Sequence, residues 1–167
     1  GLLLAMSVLT VNTEGSLSTN SLALRRKASL IGLIWFFSSL TFIIATIAEI
    51  LDVRFTDALD MTTVRSFVSQ ILLGQYLFVQ TLVAFFTGYL ILRVKRVIPT
   101  LALLLISLVA IAAPALESHS ASGGSHALAT GSMLLHVAGL TLWAGGLFAL
   151  MFISPEDRKM AFPRFSV

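Results

Sequence analysis

The chain alternates long stretches without charge and short polar joints. No Asp, Glu, Lys or Arg occurs from Ala28 to Ala48, from Ser66 to Leu92, from Val97 to Leu116, or from Ser118 to Pro155. An α-helix needs about 20 apolar residues to cross the roughly 30 Å of bilayer hydrocarbon, and each uncharged run holds that many. The pattern therefore predicts an all-α, polytopic transmembrane helix bundle with four full spans, at about 28–48, 66–92, 97–116 and 128–153. Gly1 to Val11 is apolar but too short to span, so it reads as a partial N-terminal helix, the tail of an earlier one. The Ser, Thr, Asn and Gly residues between Asn12 and Asn20 follow it as a solvated loop. Residues 1–167 together read as one membrane domain.

Composition supports the same class, since 57% apolar residues, 11% charged and a mean hydropathy of +0.95 lie outside the range of soluble domains. The net charge of +3 would admit a nucleic-acid partner, but its distribution argues for membrane topology and no nucleic acid is expected. Arg25, Arg26 and Lys27 precede the first span, Arg93, Lys95 and Arg96 follow the second, and Arg158, Lys159 and Arg164 follow the fourth. The positive-inside rule assigns these nine of the eleven Lys and Arg to the cytoplasm. The segment from Glu49 to Arg65, with Glu49, Asp52, Asp57 and Asp60, then faces outward, together with the loop after the third span. Cysteine is absent, which excludes disulfides, thiolate metal sites and iron–sulfur ligation. Any soft-metal site must use Met and His.

Polar residues inside the spans are read as joints before they are read as a pathway. Gln70, Gln75 and Gln80 are five residues apart, about 140° around the helix per step, so they do not share a face. Interhelical hydrogen bonds are the expected role.

All three histidines fall in one corner of the chain. His119 and His126 lie in a Ser/Gly loop, and His136 lies within the fourth uncharged run. An imidazole in hydrocarbon costs free energy unless a partner or ligand compensates it, which makes His136 a candidate functional residue. Met133 lies three residues earlier on the same helical face, and Gly139 and Trp143 continue the stripe. Thioether and imidazole suit a soft ion such as Cu(I) better than Mg or Ca. His119, His126, Met133 and His136 are thus the candidate metal ligands, although the spacing of the histidines matches no closed zinc pattern. Plainer roles compete: a linker with incidental histidines, Met133 as core packing, and His136 hydrogen-bonded to a Gln or Ser of a neighbouring helix. Gly145 and Gly146 are expected to let another helix approach closely.

The string His136-Val137-Ala138-Gly139-Leu140-Thr141-Leu142-Trp143-Ala144-Gly145-Gly146-Leu147 resembles the His, Trp, Gly-Gly-Leu signature of the copper resistance D (CopD) membrane domain. His119 between small residues looks like that family's small-His-small element, and Arg164-Phe165-Ser166 is similar to the Arg-Phe-Ser before its next helix. The pattern from Ala28 to Val167 also resembles actinobacterial members, in which the domain is often joined to a CtaG-like cytochrome oxidase assembly domain. The resemblance implies a multi-pass protein of the bacterial inner membrane that moves copper or handles it at the outer face, with His119 and His136 at the family's histidine positions. It also implies that the chain is part of a longer protein.

The function expected on these grounds is a copper-transport module rather than an enzyme. Its expected partners are the lipid bilayer, the copper ion, and an extracytoplasmic copper chaperone or oxidase-assembly domain. Two other classes stay open: a membrane cytochrome whose histidines ligate haem, and a ligand-free accessory subunit for oxidase assembly.

Overall fold

The computed structural model describes the backbone of Leu3, Leu17 and residues 19–118 and 126–152; side chains at 19–21, 23, 115–118 and 126–130 fall outside that description. Five helices follow in order: α1 (Thr19–Leu51), α2 (Met61–Gln70), α3 (Leu72–Leu90), α4 (Val97–Ser118) and α5 (His126–Leu150). A single 3-10 turn, Asp57–Leu59, separates α1 from α2. Four helices are long and apolar enough to cross a membrane: α1 over Leu24–Leu51, α3, α4 over Val97–Pro114, and α5 over Gly131–Leu150. The described residues contain no β-strand, so the expected helical membrane bundle is the observed fold. Apart from Leu3, the segment read as a partial N-terminal helix lies outside the described residues.

The 33 residues of α1 extend about 50 Å, well beyond one hydrocarbon thickness. Its surplus lies at the start, where Arg25, Arg26 and Lys27 stand. The helix ends in a left-handed residue, Asp52, with φ 51°. The amides of Asp52 and Val53 then donate back to Glu49 O at 3.4 Å and Ala48 O at 3.0 Å, which satisfies carbonyls the helix end would leave open. Aspartate is among the few non-glycine residues that accept this conformation readily.

Past the 3-10 turn, Asp60 starts α2. Its Oδ2 accepts from Thr63 N at 2.9 Å and from Thr63 Oγ1 at 3.0 Å. Those bonds favour the ionised carboxylate, and the backbone bond from Thr63 is the main cause of an Asp60 pKa below the usual carboxylate value. α2 is amphipathic: it buries Phe67 against Ile43, Ile47, Ala58 and Leu77, and leaves Met61, Arg65 and Gln70 exposed.

The second span begins later than the uncharged run suggests, at Leu72 rather than Ser66. Ile71 is extended, with φ −103° and ψ 126°, and separates α2 from α3. The cause is local packing. Gly74 lies so close to Phe67 that an added Cβ would run into the Phe67 carbonyl oxygen. Gln75 Nε2 donates to Ser69 O at 3.1 Å, bridging the break. Gln75 therefore ties two consecutive helices at an elbow instead of joining two spans, because the carbonyl left free by the break is within its reach.

α1 and α3 run antiparallel in close register. A Cβ on Gly32 would lie 2.6 Å from Gly88 Cα, so the two backbones touch at that crossing. One turn on, Phe36 meets Phe85 with ring centroids 5.5 Å apart. Farther along, Ile43 and Leu77 share one apolar cluster with Phe67. α4 packs on α3, where the Thr87 and Ser107 hydroxyls lie 3.3 Å apart.

Two of the three basic segments expected on one side, Arg25–Lys27 and Arg93–Arg96, meet at one end of the bundle beside the end of α5, and the third lies outside the described residues. Arg25 Nη1 donates to Leu92 O at 2.9 Å, and Lys27 Nζ donates to Phe152 O at 3.4 Å while lying 5.3 Å from the Phe152 ring centroid. The acidic segment between α1 and α2 lies at the other end.

Candidate metal site on the fourth span

α5 is uncharged, and its apolar residues surround it on all sides, so helix periodicity alone does not choose a buried face. Packing does. Leu134, Ala138, Thr141 and Gly145 are half-buried on one side, whereas His136, Gly139, Leu140, Trp143 and Leu147 are exposed on the other; full burial is reached only towards the helix end, at Gly146, Ala149 and Leu150. The exposed positions recur at intervals of three and four, which makes them one stripe along the helix. Met133, His136, Gly139 and Trp143 were expected to share a face, and their exposure follows it: Met133 is half-buried at the margin, and the other three face away from the remaining spans. Trp143 is 63% exposed.

Among the described residues no hydrogen bond is made to the His136 imidazole, and no group of three or more His, Cys, Asp or Glu side chains is positioned to hold a metal ion. His119 lies outside the described residues. His126 opens α5, and its side chain is outside the description too. The proximity of the loop histidines to His136 therefore lies beyond what the described residues address.

The opposite side of α5 faces a cavity of about 310 Å³ shared by all four spans. Gly145, Thr141 and Phe148 line it from α5, opposite Gly32 and Trp35 of α1 and the Thr87–Ser107 pair. Its lining is largely apolar, and its polar side chains, the Thr and Ser hydroxyls and the Trp35 indole, are poor ligands for a soft cation. His136 and Met133 do not contribute to it. Any ion held by that pair sits on the flank of the bundle, and the cavity is a separate feature.

Gly145 is half-buried and Gly146 is buried, and a close approach of two spans occurs at Gly32 and Gly88. Small residues mark it on both helices: Ser29, Gly32 and, two turns on, Ser39 on α1, and Thr81, Ala84 and Gly88 on α3. All of them are buried. Ser39 Oγ is buried without a hydrogen-bond partner among the described residues.

Residues 1–130 match the family model for the copper resistance protein D-like N-terminal domain. The chain belongs to that family. The match takes in the first three spans and the positions of His119 and His126, and it stops before Met133, His136 and Trp143. The family assignment thus rests on a different part of the chain from the His-Trp-Gly-Gly string that first suggested it. No curated protein matches the chain, and no solved structure does. Together, the family and four membrane-crossing helices identify a membrane protein of a copper-resistance family.

Proposed function

We propose that this copper resistance protein D-like chain binds and moves copper ions as its cargo, and that Met133 and His136 form part of the path. The observation that carries the reading is the pairing of a thioether and an imidazole on one face of α5, in a chain of a copper-resistance family that has no cysteine. Both side chains are soft or borderline neutral donors, the type that Cu(I) takes. His119 and His126, next to α5 or at its start, would collect the ion at the outer face of a bacterial inner membrane and pass it down the helix. The flank carrying His136 is exposed in the described bundle, so this route runs along the outside of α5. A further element packed there would complete the ligand set and shield the imidazole from lipid.

Neutral ligands leave the ion its charge. An inside-negative membrane potential then favours inward movement by about 2.3 kcal/mol per 100 mV. Cells producing His136→Ala at normal protein level are expected to accumulate less copper than cells producing the unaltered chain. Equal accumulation would remove His136 from the path. Metal analysis and an optical spectrum of the purified protein, before and after replacement of the histidines, separate copper from haem and from a subunit without a ligand.

A further inference from the structure

At the basic end of the bundle a recess of about 430 Å³ is lined by Leu22, Arg25, Arg26 and Leu92. Arg25 is fixed in its wall: Nε donates to Leu22 O at 3.2 Å, and Nη1 donates to Leu92 O at 2.9 Å and to Val94 O at 3.4 Å. Carbonyl oxygens orient the guanidinium without cancelling its charge. Arg26 is exposed beside it and has no protein hydrogen-bond partner among the described residues. Among the described residues the neighbouring cations also face no acidic side chain there. Arg93 lies 4.4 Å from the Tyr89 ring centroid, and Lys27 contacts the Phe152 ring and carbonyl; these partners carry no negative charge. The described acids Glu49, Asp52, Asp57 and Asp60 belong to the other end, and Glu14, Glu156 and Asp157 lie outside the described residues.

The level of the recess narrows the choice of anion. The apolar part of α1 starts at Leu24 and that of α3 stops at Leu90, so Leu22, Arg25, Arg26 and Leu92 straddle the boundary between hydrocarbon and headgroups. Two cations beside two leucines match a phosphodiester that continues into acyl chains. Basic pockets between transmembrane helices commonly take anionic headgroups.

We propose that this recess is a binding site for the phosphodiester headgroup of an anionic phospholipid, held by Arg25 and Arg26, with Leu22 and Leu92 against the start of its acyl chains. Bound there, the lipid spans the joint that Arg25 already makes between the start of α1 and the end of α3. The proposal is independent of the copper reading.

The test uses the purified full chain in detergent, supplied with phosphatidylglycerol or phosphatidylcholine, with retained lipid counted by native mass spectrometry. Phosphatidylglycerol is expected to be retained in preference. Arg26→Gln should weaken its retention about fivefold, the size expected for one surface cation, and Arg26→Lys should restore most of it. Arg54→Gln, at the opposite end, should leave retention unchanged. Equal retention of the two lipids would overturn the proposal, as would an equal loss on Arg54→Gln, which would mean diffuse charge instead of a site. Displacement of phosphatidylglycerol by inorganic phosphate, but not by chloride at the same ionic strength, would assign the recess to a free anion and overturn the lipid.

Discussion

At Gly32 two helix backbones are in contact, whereas around Gly139 an added Cβ would meet nothing within 4 Å. The two glycines belong to regions built for different purposes. Between α1 and α3, small residues allow close approach and aromatic rings fill the next turn. α5 attaches by one side only, with three of the 20 residues Gly131–Leu150 buried against six of the 19 in Leu72–Leu90. Its chemistry lies on the free side. Van der Waals packing is the main attraction between helices in lipid, so the α1–α3 pair is the scaffold and α5 is the member with a surface to offer.

Substitution of the two glycines breaks or sharpens this contrast most directly. Gly32→Ala places a methyl 2.6 Å from Gly88 Cα and 3.0 Å from Gly88 N, and neither atom can move without parting the helices. A loss of about 1–3 kcal/mol is expected, the usual range for overpacking a tight contact. Gly139→Ala should be neutral or stabilising, because alanine is the better helix former by about 0.8–1 kcal/mol. Unfolding of both variants in mixed micelles measures the difference. A large loss at Gly139 would mean that the face of His136 and Trp143 is covered in the native assembly.

The two regions also differed in how much the sequence disclosed. Spans were legible because the requirement for uncharged length is nearly independent of what each helix touches; Val97–Leu116 and the observed Val97–Ser118 differ only at the exit. The elbow at Ile71 was hidden, since Ser66 to Leu92 is one uninterrupted uncharged run and the break depends on Gly74 meeting Phe67 in space. The stripe from Met133 to Trp143 was legible as a face, because helical spacing determines which residues align. Its outward direction was not, because α5 is apolar all round and only packing in space, with Leu134, Ala138, Thr141 and Gly145 turned towards the other spans, selects the inner side. The Gly32–Gly88 crossing left a trace in the small residues at intervals of three and four, Ser29 and Gly32 on α1 and Thr81, Ala84 and Gly88 on α3.

A smaller effect tests whether polar pairing strengthens the scaffold. The Thr87 and Ser107 hydroxyls, 3.3 Å apart, are both buried between α3 and α4. Such bonds in membrane proteins contribute about 0.6 kcal/mol on average. Thr87→Val and Ser107→Ala should each cost about that much, and the double variant should cost little more than either alone. Full additivity in the cycle would show that the two hydroxyls do not depend on each other.

The smallest expected effect lies outside the hydrocarbon, where α2 begins. Bonds from Thr63 N and Oγ1 hold the Asp60 carboxyl below the usual carboxylate pKa in the folded chain. A group whose folded pKa is depressed contributes stability that is fully present above its unfolded pKa, near 3.9, and is lost as pH falls through the folded value. The cap should therefore be intact at neutral pH and fade below about pH 4. Asp60 is fully exposed, so the increment is small and is best read as a difference between chains. Unfolding followed from pH 6 to pH 3 should show the unaltered protein converging on Asp60→Ala at the acid end, while Gly32→Ala keeps its deficit throughout. Parallel curves for the unaltered protein and Asp60→Ala would mean that the α2 cap does not couple to the fold, leaving the acidic end as loosely tied to the α1–α3 scaffold as α5 is.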